Sequence, residues 1–275
     1  MPEILEVEAT RRTIEARALG RTIAGVDAPD AWYLKRGLTP DVVAAVLPGR
    51  RFVGARRRGK LLLLDTSART DDAAPADDRT PDGPTLAVHL GMTGRVLVDG
   101  QPAGDELRFA SNRDRPGWHR FTVRFTDGGS VTVRDPRRLG AVELDPDEDR
   151  LGVDALALTL AGLGATLRGR RAPLKAVLLD QAGVAGLGNL LVDEILWRAG
   201  LAPGRPAGSL TAAERARLAR AVRTSLRVLG RRGGSHTGDL MPERQPGGHC
   251  PRDGAALRRD TVGGRTTYWC PRHQR

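Results

Sequence analysis

The most informative stretch of the sequence is residues 174–200, which read LKAVLLDQAGVAGLGNLLVDEILWRAG. Its apolar spacing predicts two helices, Leu174–Asp180 and Asn189–Ala199, the second ended by a glycine. The glycines of Val184–Asn189 indicate a tight double turn between them, with Asn189 as the cap of the second helix. Because a helix N-terminus presents unpaired N–H groups, the turn is a candidate phosphate site. The alternative is an ordinary connector between two helices.

Outward from this stretch, the two halves of the chain carry different patterns. A helical face runs over Pro2–Gly20, and short apolar runs with a period of two between residues 51 and 144 predict strands. After the acidic linker Asp145–Asp149 helical periodicity resumes, and Thr211–Glu214 has the form of a capping box. The linker is therefore the predicted domain boundary.

Composition points to a polyanionic partner. The 275 residues include 44 Lys+Arg against 33 Asp+Glu, so the net charge is 44 − 33 = +11. Basic clusters at Arg56–Lys60 and Arg134–Arg138 border predicted strands, where they are either phosphate contacts or a solvated face. The sequence has no run of 18 apolar residues and no secretory signal, which predicts a cytoplasmic protein without a membrane partner. With only two cysteines, a disulfide framework is excluded.

The N-terminus holds a candidate nucleophile. If Met1 is removed, Pro2 becomes a secondary amine, and an α-amino group titrates near pH ~8. Such an amine forms an iminium with an aldehyde-like carbon, and the iminium withdraws electrons from the neighbouring bonds. Glu3, Glu6 and Glu8 lie close enough in sequence for one of them to donate a proton. The alternative is a helix-start proline followed by acids that complement the helix dipole.

Two like-spaced pairs near the C-terminus predict a metal site. Cys250-x2-Asp253 and Cys270-x2-His273 are separated by 16 residues, the arrangement of a zinc ribbon. Asp253 is an unusual fourth ligand, and His249 is the alternative. A hairpin held by packing, with the metal lost, is the competing interpretation.

Taken in order, several segments resemble the formamidopyrimidine-DNA glycosylase / endonuclease VIII family of base-excision repair enzymes. The segments are Pro2–Glu8 (PEILEVE), His89–Gly94 (HLGMTG), Asp135–Gly140 (DPRRLG), Leu178–Asn189 (LLDQAGVAGLGN) and Gly264–Pro271 (GRTTYWCP). The resemblance covers nearly the whole chain. It implies an α+β fold: an N-terminal β-sandwich with flanking helices (1–144), a helix-two-turn-helix domain (151–240) and a β-hairpin zinc finger (241–275).

The resemblance also implies an activity. The chain would be a bifunctional DNA glycosylase and abasic-site lyase that excises oxidised bases, oxidised purines first, from damaged duplex DNA. Pro2 would attack C1′ and form a Schiff base that drives β- and then δ-elimination. Glu3 would be the acid that opens the sugar ring, Glu6 would support its geometry, and Lys60 would contact phosphate beside the lesion.

Further residues are implied to bind DNA and zinc. Asn189 and Arg265 would hold the kinked backbone. Met92, Arg137 and Leu139 would fill the gap left by the flipped nucleotide, with Arg138 as a further DNA contact. The implied zinc ligands are Cys250, Asp253, Cys270 and His273. By the same resemblance the protein would be a monomer in the bacterial cytoplasm, associated with the nucleoid.

The sequence departs from the family pattern at four positions. Leu5 replaces a proline, Leu139 replaces a phenylalanine, and Asp253 and His273 replace cysteines. Three alternatives follow: excision of oxidised pyrimidines or lyase action on abasic sites alone, a non-catalytic binder of damaged DNA, and a structural RNA-binding protein.

Overall fold

The computed structural model describes residues 2–69, 80–104 and 111–275. It divides into two compact units, one made of Pro2 and Glu6–Glu148, the other of Glu3–Leu5 and Asp149–Arg275. The predicted division into 1–144, 151–240 and 241–275 differs in two respects. Residues 3–5 group with the second unit, and the C-terminal hairpin belongs to the same compact unit as the helices before it. Met1, whose removal the predicted chemistry of Pro2 requires, lies outside the described residues.

The first unit is built on two antiparallel sheets. One has the strand order β1-β7-β8-β5-β6 and the other β2-β3-β4-β9. The strands are β1 (Ile23–Asp27), β2 (Phe52–Arg58), β3 (Leu61–Thr66), β4 (Thr85–His89), β5 (Arg95–Val98), β6 (Gln101–Pro102), β7 (His119–Phe125), β8 (Ser130–Arg134) and β9 (Ala141–Leu144). Helices α1 (Ile4–Arg17) and α2 (Pro40–Val46) accompany them, with 3-10 helices at Ala31–Tyr33, Pro116–Trp118 and Glu148–Arg150.

One apolar core lies between the two sheets. Alternate residues of β7, from Phe121 to Phe125, are buried on one side, and β3 is buried throughout. Phe52 of one sheet packs edge-on against Phe125 of the other, with 5.9 Å between ring centroids. Because both sheets contribute to a single core cluster, the predicted β-sandwich is confirmed.

The second unit is mostly helical. It contains α3 (Leu160–Leu167), α4 (Leu174–Leu179), α5 (Asn189–Ala199) and α6 (Ala212–Arg231), a parallel pair β10 (Val153–Asp154) and β11 (Val184–Ala185), and the hairpin β12 (Arg258–Val262) and β13 (Arg265–Trp269). Further 3-10 helices lie at Ala155–Ala157, Ala207–Ser209, Ser235–Thr237 and Met241–Glu243. Among the residues described, no helix has the length and apolar character needed to cross a membrane.

Helix α6 shows how sequence pattern becomes packing in this unit. Leu218, Val222 and Leu229 are buried on one face, and the predicted capping box forms between Thr211 and Glu214. Hydrogen bonds from Arg205, at 2.7 and 2.9 Å, lower the pKa of the Glu214 carboxyl to about 2 from 4.5.

The Glu214 ion pair predicts a pH dependence of stability. Since the pKa is lower in the folded state, the stabilisation is present above about pH 4.5 and is lost as pH falls towards 2. Glu214→Gln keeps an oxygen for the capping box but removes the charge. We expect the variant's deficit in free energy of unfolding, measured by urea denaturation, to be smaller at pH 3 than at pH 6. An equal deficit at both values would refute this assignment.

Candidate functional site

The N-terminus of α5 is capped by a residue far away in sequence. The Glu3 carboxylate accepts hydrogen bonds from the backbone N–H groups of Gly188 (3.0 Å), Leu190 (2.8 Å) and Leu191 (3.1 Å) and is fully buried. These are the N–H groups that a helix leaves unpaired at its start, and the helix dipole favours a negative charge there. The prediction that Asn189 caps this helix is wrong: Gly188 is the cap position, and Asn189 is the first helical residue.

The glycines of the double turn make room for the start of the chain. A Cβ on Gly188 would lie 2.2 Å from Glu3 Cδ, and one on Gly186 would lie 2.6 Å from Ile4 Cδ1. The Ile4 N–H also donates to the Gly186 carbonyl at 3.1 Å. Gln181 closes the turn by accepting from the Gly186 N–H and donating to the Leu187 carbonyl. The turn is therefore shaped to receive residues 3 and 4.

The other candidate residues at the N-terminus have different surroundings. Pro2 is buried, and Glu6 is half-buried in the first turn of α1. Although burial raises the pKa of Glu8, hydrogen bonds from Arg11, Arg12 and Arg57 outweigh it and hold that pKa below the ordinary value. Glu8 is therefore held as an ionised partner of arginines, which argues against a role as proton donor.

Lys60 lies in the turn between β2 and β3. Gly59 before it takes the left-handed conformation (φ 58°), and the Lys60 side chain is partly exposed. His89 pairs in register with Leu61, the residue after Lys60. Burial and the Lys60 charge lower the pKa of His89, so that its imidazole is neutral near pH 7 and accepts from the Gly91 N–H. Lys60 and the HLGMTG segment thus meet at one end of the sheet.

Asp135 joins two turns of the first unit. This buried carboxylate accepts from Thr93 Oγ1 at 2.6 Å and from the N–H groups of Leu139 and Gly140 at 2.9 and 2.8 Å. The turns are in direct contact, since a Cβ on Gly91 would lie 2.4 Å from the Leu139 carbonyl carbon. In the sequence Asp135 is one residue of the DPRRLG motif, with no role predicted for its carboxylate.

This junction brings together the residues predicted to fill the gap in DNA. Arg137 and Leu139 are exposed and Met92 is partly exposed, all on the two joined turns. Arg138 differs because it forms a bidentate pair with Asp30, at 2.6 Å for both hydrogen bonds. Those bonds from Arg138 lower the pKa of Asp30. The structure thus gives Arg138 an intramolecular partner that the sequence analysis did not anticipate.

In the second unit, Asn189 and Arg265 are also brought together. Asn189 Nδ2 donates to the Thr266 carbonyl at 3.1 Å, and its Oδ1 is buried without a hydrogen-bond partner among the described residues. Arg265 is exposed at the start of β13, directly after Gly263 and Gly264 in left-handed conformations. Both predicted backbone contacts therefore lie where the hairpin meets α5.

A buried ion network that sequence analysis missed fixes that hairpin. Lys175 Nζ lies 2.6 Å from Asp193 Oδ1 and 2.8 Å from Thr267 Oγ1, and Arg244 pairs with the other Asp193 oxygen at 2.7 Å. Burial lowers the pKa of Lys175. The sequence does contain a sign of this network. Lys175 and Asp193 lie within the apolar helical segments LKAVLL and LLVDEILW, and a charge buried in such a segment requires a partner.

The four predicted metal ligands form one cluster. The ligand atoms of Cys250, Asp253, Cys270 and His273 all lie within 4.8 Å of one another. His273 Nδ1 is 3.6 Å from Cys250 Sγ and 3.1 Å from Asp253 Oδ2, compared with ~3.3–3.8 Å between ligand atoms around tetrahedral zinc. The alternative ligand His249 is exposed and does not belong to the cluster. These four residues could hold a metal ion.

Trp197 of α5 orients two members of the cluster. Its indole N–H donates to Cys250 Sγ at 3.3 Å, and its carbonyl lies 3.2 Å from His273 Nε2. Since a carbonyl only accepts, the His273 proton is assigned to Nε2, which leaves the Nδ1 lone pair facing Cys250 and Asp253. Burial raises the pKa of the Cys270 thiol.

Because Glu3 packs closely against Gly188, a single methyl group added at position 188 should destabilise the protein. Gly188→Ala would displace Glu3 from α5 and lower the free energy of unfolding by about 1–3 kcal/mol. Gly164→Ala is the control, because a Cβ there meets nothing within 4 Å in helix α3, and it should leave stability unchanged or raise it. Denaturant unfolding of both variants tests this. We call the hydrogen bonds that hold Glu3 on α5 the Glu3 clamp. Equal stability of the two variants would contradict it.

Comparison with known proteins identifies the family. The model for the formamidopyrimidine-DNA glycosylase N-terminal domain matches residues 1–142, and that for the formamidopyrimidine-DNA glycosylase H2TH domain matches residues 151–239. The formamidopyrimidine-DNA glycosylase of Paracoccus denitrificans is 38% identical over 298 aligned positions, covering 98% of this chain and 99% of the relative. That of Cereibacter sphaeroides is 42% identical over 253, covering 87% and 82%.

Comparison with solved structures points to the same family. Lactococcus lactis Fpg in complex with DNA containing an abasic site has a TM-score of 0.80 and 25% identity, covering 99% of each chain. A complex of the same protein with DNA containing an oxidised pyrimidine also has a TM-score of 0.80, with 26% identity over 100% of each chain. Both family models lie in the predicted order, and together they match most of the sequence. The chain belongs to the formamidopyrimidine-DNA glycosylase family.

Proposed function

We propose that this protein is a bifunctional DNA glycosylase and abasic-site lyase that removes oxidised bases from duplex DNA through a Schiff base on Pro2. Membership of the family and the DNA complexes of the Lactococcus lactis relative support it. The observation that carries the proposal is the clamp on Glu3. Because Pro2 is bonded to a residue with three hydrogen bonds to α5, a nucleophile at this terminus is attached to an ordered support.

The proposed reaction begins at the Pro2 nitrogen. Once Met1 is removed, the amine attacks C1′ of the damaged nucleotide, a C1′–N bond forms, and the bond to the base breaks with the electron pair leaving on the base. The amine nitrogen gives up its proton, and the departing base takes up one. Opening of the sugar ring gives an iminium, which draws electrons from C2′. Loss of a C2′ proton and the 3′ phosphate is β-elimination, and subsequent loss of a C4′ proton and the 5′ phosphate is δ-elimination.

Glu3 is the proposed proton donor to the sugar ring oxygen. After proton donation the residue is a carboxylate, which the N-terminus of α5 stabilises. Glu6 is proposed to support this geometry from the first turn of α1. Glu3 is favoured over Glu8 for the donor role because it is bonded directly to Pro2, the proposed nucleophile.

The proposed DNA contacts fall on both units. A base must leave the stack before C1′ becomes accessible, and the exposed Leu139 and Met92 suit the gap it leaves, while Arg137 offers donors to the opposite base. Lys60, Asn189 and Arg265 are proposed phosphate contacts. Arg138 is the weakest of the proposed contacts because its guanidinium is already paired with Asp30.

Oxidised purines are the first proposed substrates. Oxidised pyrimidines are the second candidate, favoured by the Lactococcus lactis complex with DNA that contains one. A non-catalytic binder of damaged DNA is the alternative from another class, and trapping of the covalent intermediate distinguishes it.

Borohydride trapping tests the nucleophile. Reduction of the iminium makes the protein–DNA bond permanent, so wild type should form an adduct with a duplex that carries an abasic site or 8-oxoguanine. In Pro2→Gly, and in a form that retains Met1, we expect the adduct yield to drop at least about tenfold, because the secondary amine is replaced or blocked. The readout is the shifted band on a denaturing gel.

Two outcomes would contradict the proposal. If wild type binds the lesion duplex but forms no adduct, the protein is a binder and not a lyase. If all three forms are trapped equally, another amine is the nucleophile. Lys60→Gln is then the next variant to test.

We further propose that the cluster of Cys250, Asp253, Cys270 and His273 holds structural zinc. Two thiolates, one imidazole and one carboxylate are all zinc ligands, and Trp197 presents two of them in the required orientation. When bound, the ion would join the turns on either side of β12 and β13 and so hold the hairpin that carries Arg265. No step of the proposed reaction uses it.

Asp253→Ala tests the metal site. The variant loses one of four ligands, so its zinc content after dialysis should fall well below the ~1 ion per chain expected of wild type. Asp260→Ala is the matched control, because Asp260 lies on the same hairpin and contacts Trp269 rather than the cluster. Metal analysis of the purified proteins gives the readout. Zinc-free wild type with the fold intact would contradict the proposal.

A further inference from the structure

The indole of Trp32 is exposed on the first unit. With 67% of its surface accessible, it is the most exposed of the large hydrophobic side chains that the structure describes. The next in this unit is Leu139, at 46%, on the turn already described. A single exposed aromatic side chain is common on protein surfaces, so the position and surroundings of Trp32 must indicate whether it has a role.

The segment that carries Trp32 runs alongside the turn that carries Leu139. Residues 30–35 contact residues 135–142 at successive points along both stretches. These contacts are the Asp30–Arg138 ion pair, the Tyr33 hydroxyl donating to Asp135, the parallel bridge Leu34–Val142, and the Lys35 N–H donating to the Val142 carbonyl. A Cβ on Gly140 would lie 2.0 Å from the Tyr33 hydroxyl oxygen. Position 32 therefore falls beside residues 139 and 140.

The Lys35 ammonium lies against the Trp32 ring. Its nitrogen is 4.2 Å from the Trp32 ring centroid and donates to the Trp32 carbonyl at 2.5 Å. The indole is therefore next to a positive charge, while two-thirds of the residue's surface remains accessible. A flat apolar face beside a cation matches the chemistry of an unstacked nucleic-acid base and its phosphate.

We propose that Trp32 is a DNA contact of this protein: its exposed ring stacks on a base beside the gap bordered by Leu139, while Lys35 lies against the neighbouring phosphate. This rests on the proposed function, which places Leu139, Arg137 and Met92 in the DNA, and extends it to a residue outside the family motifs. The Asp30–Arg138 pair would then support DNA binding indirectly, because it holds the Trp32 segment against the turn.

Trp32 contributes little to the fold itself. Two-thirds of its surface is already accessible, and its neighbours in the chain make the ion pair and hydrogen bonds that join this segment to the turn. Truncation should therefore leave the stability of the protein nearly unchanged. This separates a binding role from a structural one.

The test is the affinity of full-length variants for a duplex that carries a tetrahydrofuran analogue of an abasic site, which cannot react. Base stacking on an aromatic ring predicts about a tenfold loss for Trp32→Ala, and retention of most of the affinity by Trp32→Phe. Val42→Ala is the matched control, an exposed apolar side chain of the same unit that should leave affinity unchanged. Thermal unfolding of each variant checks the fold.

Acrylamide quenching of tryptophan fluorescence provides a second readout. In wild type, the duplex should protect an accessible tryptophan from the quencher. In Trp32→Phe that protected fraction should be absent. Protection of equal size in both proteins would overturn the inference.

The outcomes separate this inference from the proposed function. If wild type binds the duplex and Trp32→Ala binds equally well, Trp32 is not a contact and only this inference is overturned. If wild type does not prefer the lesion duplex, the proposed function fails and this inference with it. If Trp32→Ala instead converts a dimer to a monomer, without affecting DNA affinity, the ring is a protein contact and the inference is wrong.

Discussion

The interaction on which the rest of the structure depends is the Glu3 carboxylate at the N-terminus of α5. Three backbone N–H groups that would otherwise be buried and unpaired are satisfied by one side chain 185 or more residues away in sequence. The constraint explains the glycines at positions 186 and 188, since any side chain there would occupy the space of Ile4 or Glu3. It also explains why residues 3–5 belong to the second unit while the remainder of α1 belongs to the first.

Helix α5 connects the elements of the second unit that carry proposed roles. Its start holds Glu3, and Asp193 in its middle ties the C-terminal hairpin to α4 through Lys175. Near its end, Trp197 contacts Cys250 and His273. Because an α-helix is stiff over three turns, α5 holds these contacts in fixed positions relative to one another. Asp253 and His273 replace cysteines of the family pattern, but their side chains still lie in one cluster with Cys250 and Cys270.

Local patterns predicted much of this fold. The period-two runs became strands of the sandwich, and Thr211 with Glu214 formed the capping box, because strand formation and helix capping here depend on residues close in sequence. The cap of α5 could not be predicted in that way: Asn189 has the favoured residue type, but the real partner is at position 3. Lys175 with Asp193, and the placement of Trp32 beside Leu139, likewise depend on contacts between distant segments. The motifs named the candidate site residues, whereas their partners emerged only from the structure.

The most direct test of the clamp is hydrogen exchange at the amides of Leu190 and Leu191, followed by NMR in wild type and in Glu3→Ala. Amides in the first turn of a helix normally exchange quickly, since they have no intrahelical acceptor. If Glu3 holds the start of the chain on α5, both amides are strongly protected in wild type and lose that protection in the variant, while amides in the middle of α6 keep theirs. Rapid exchange of Leu190 and Leu191 in wild type would contradict the account.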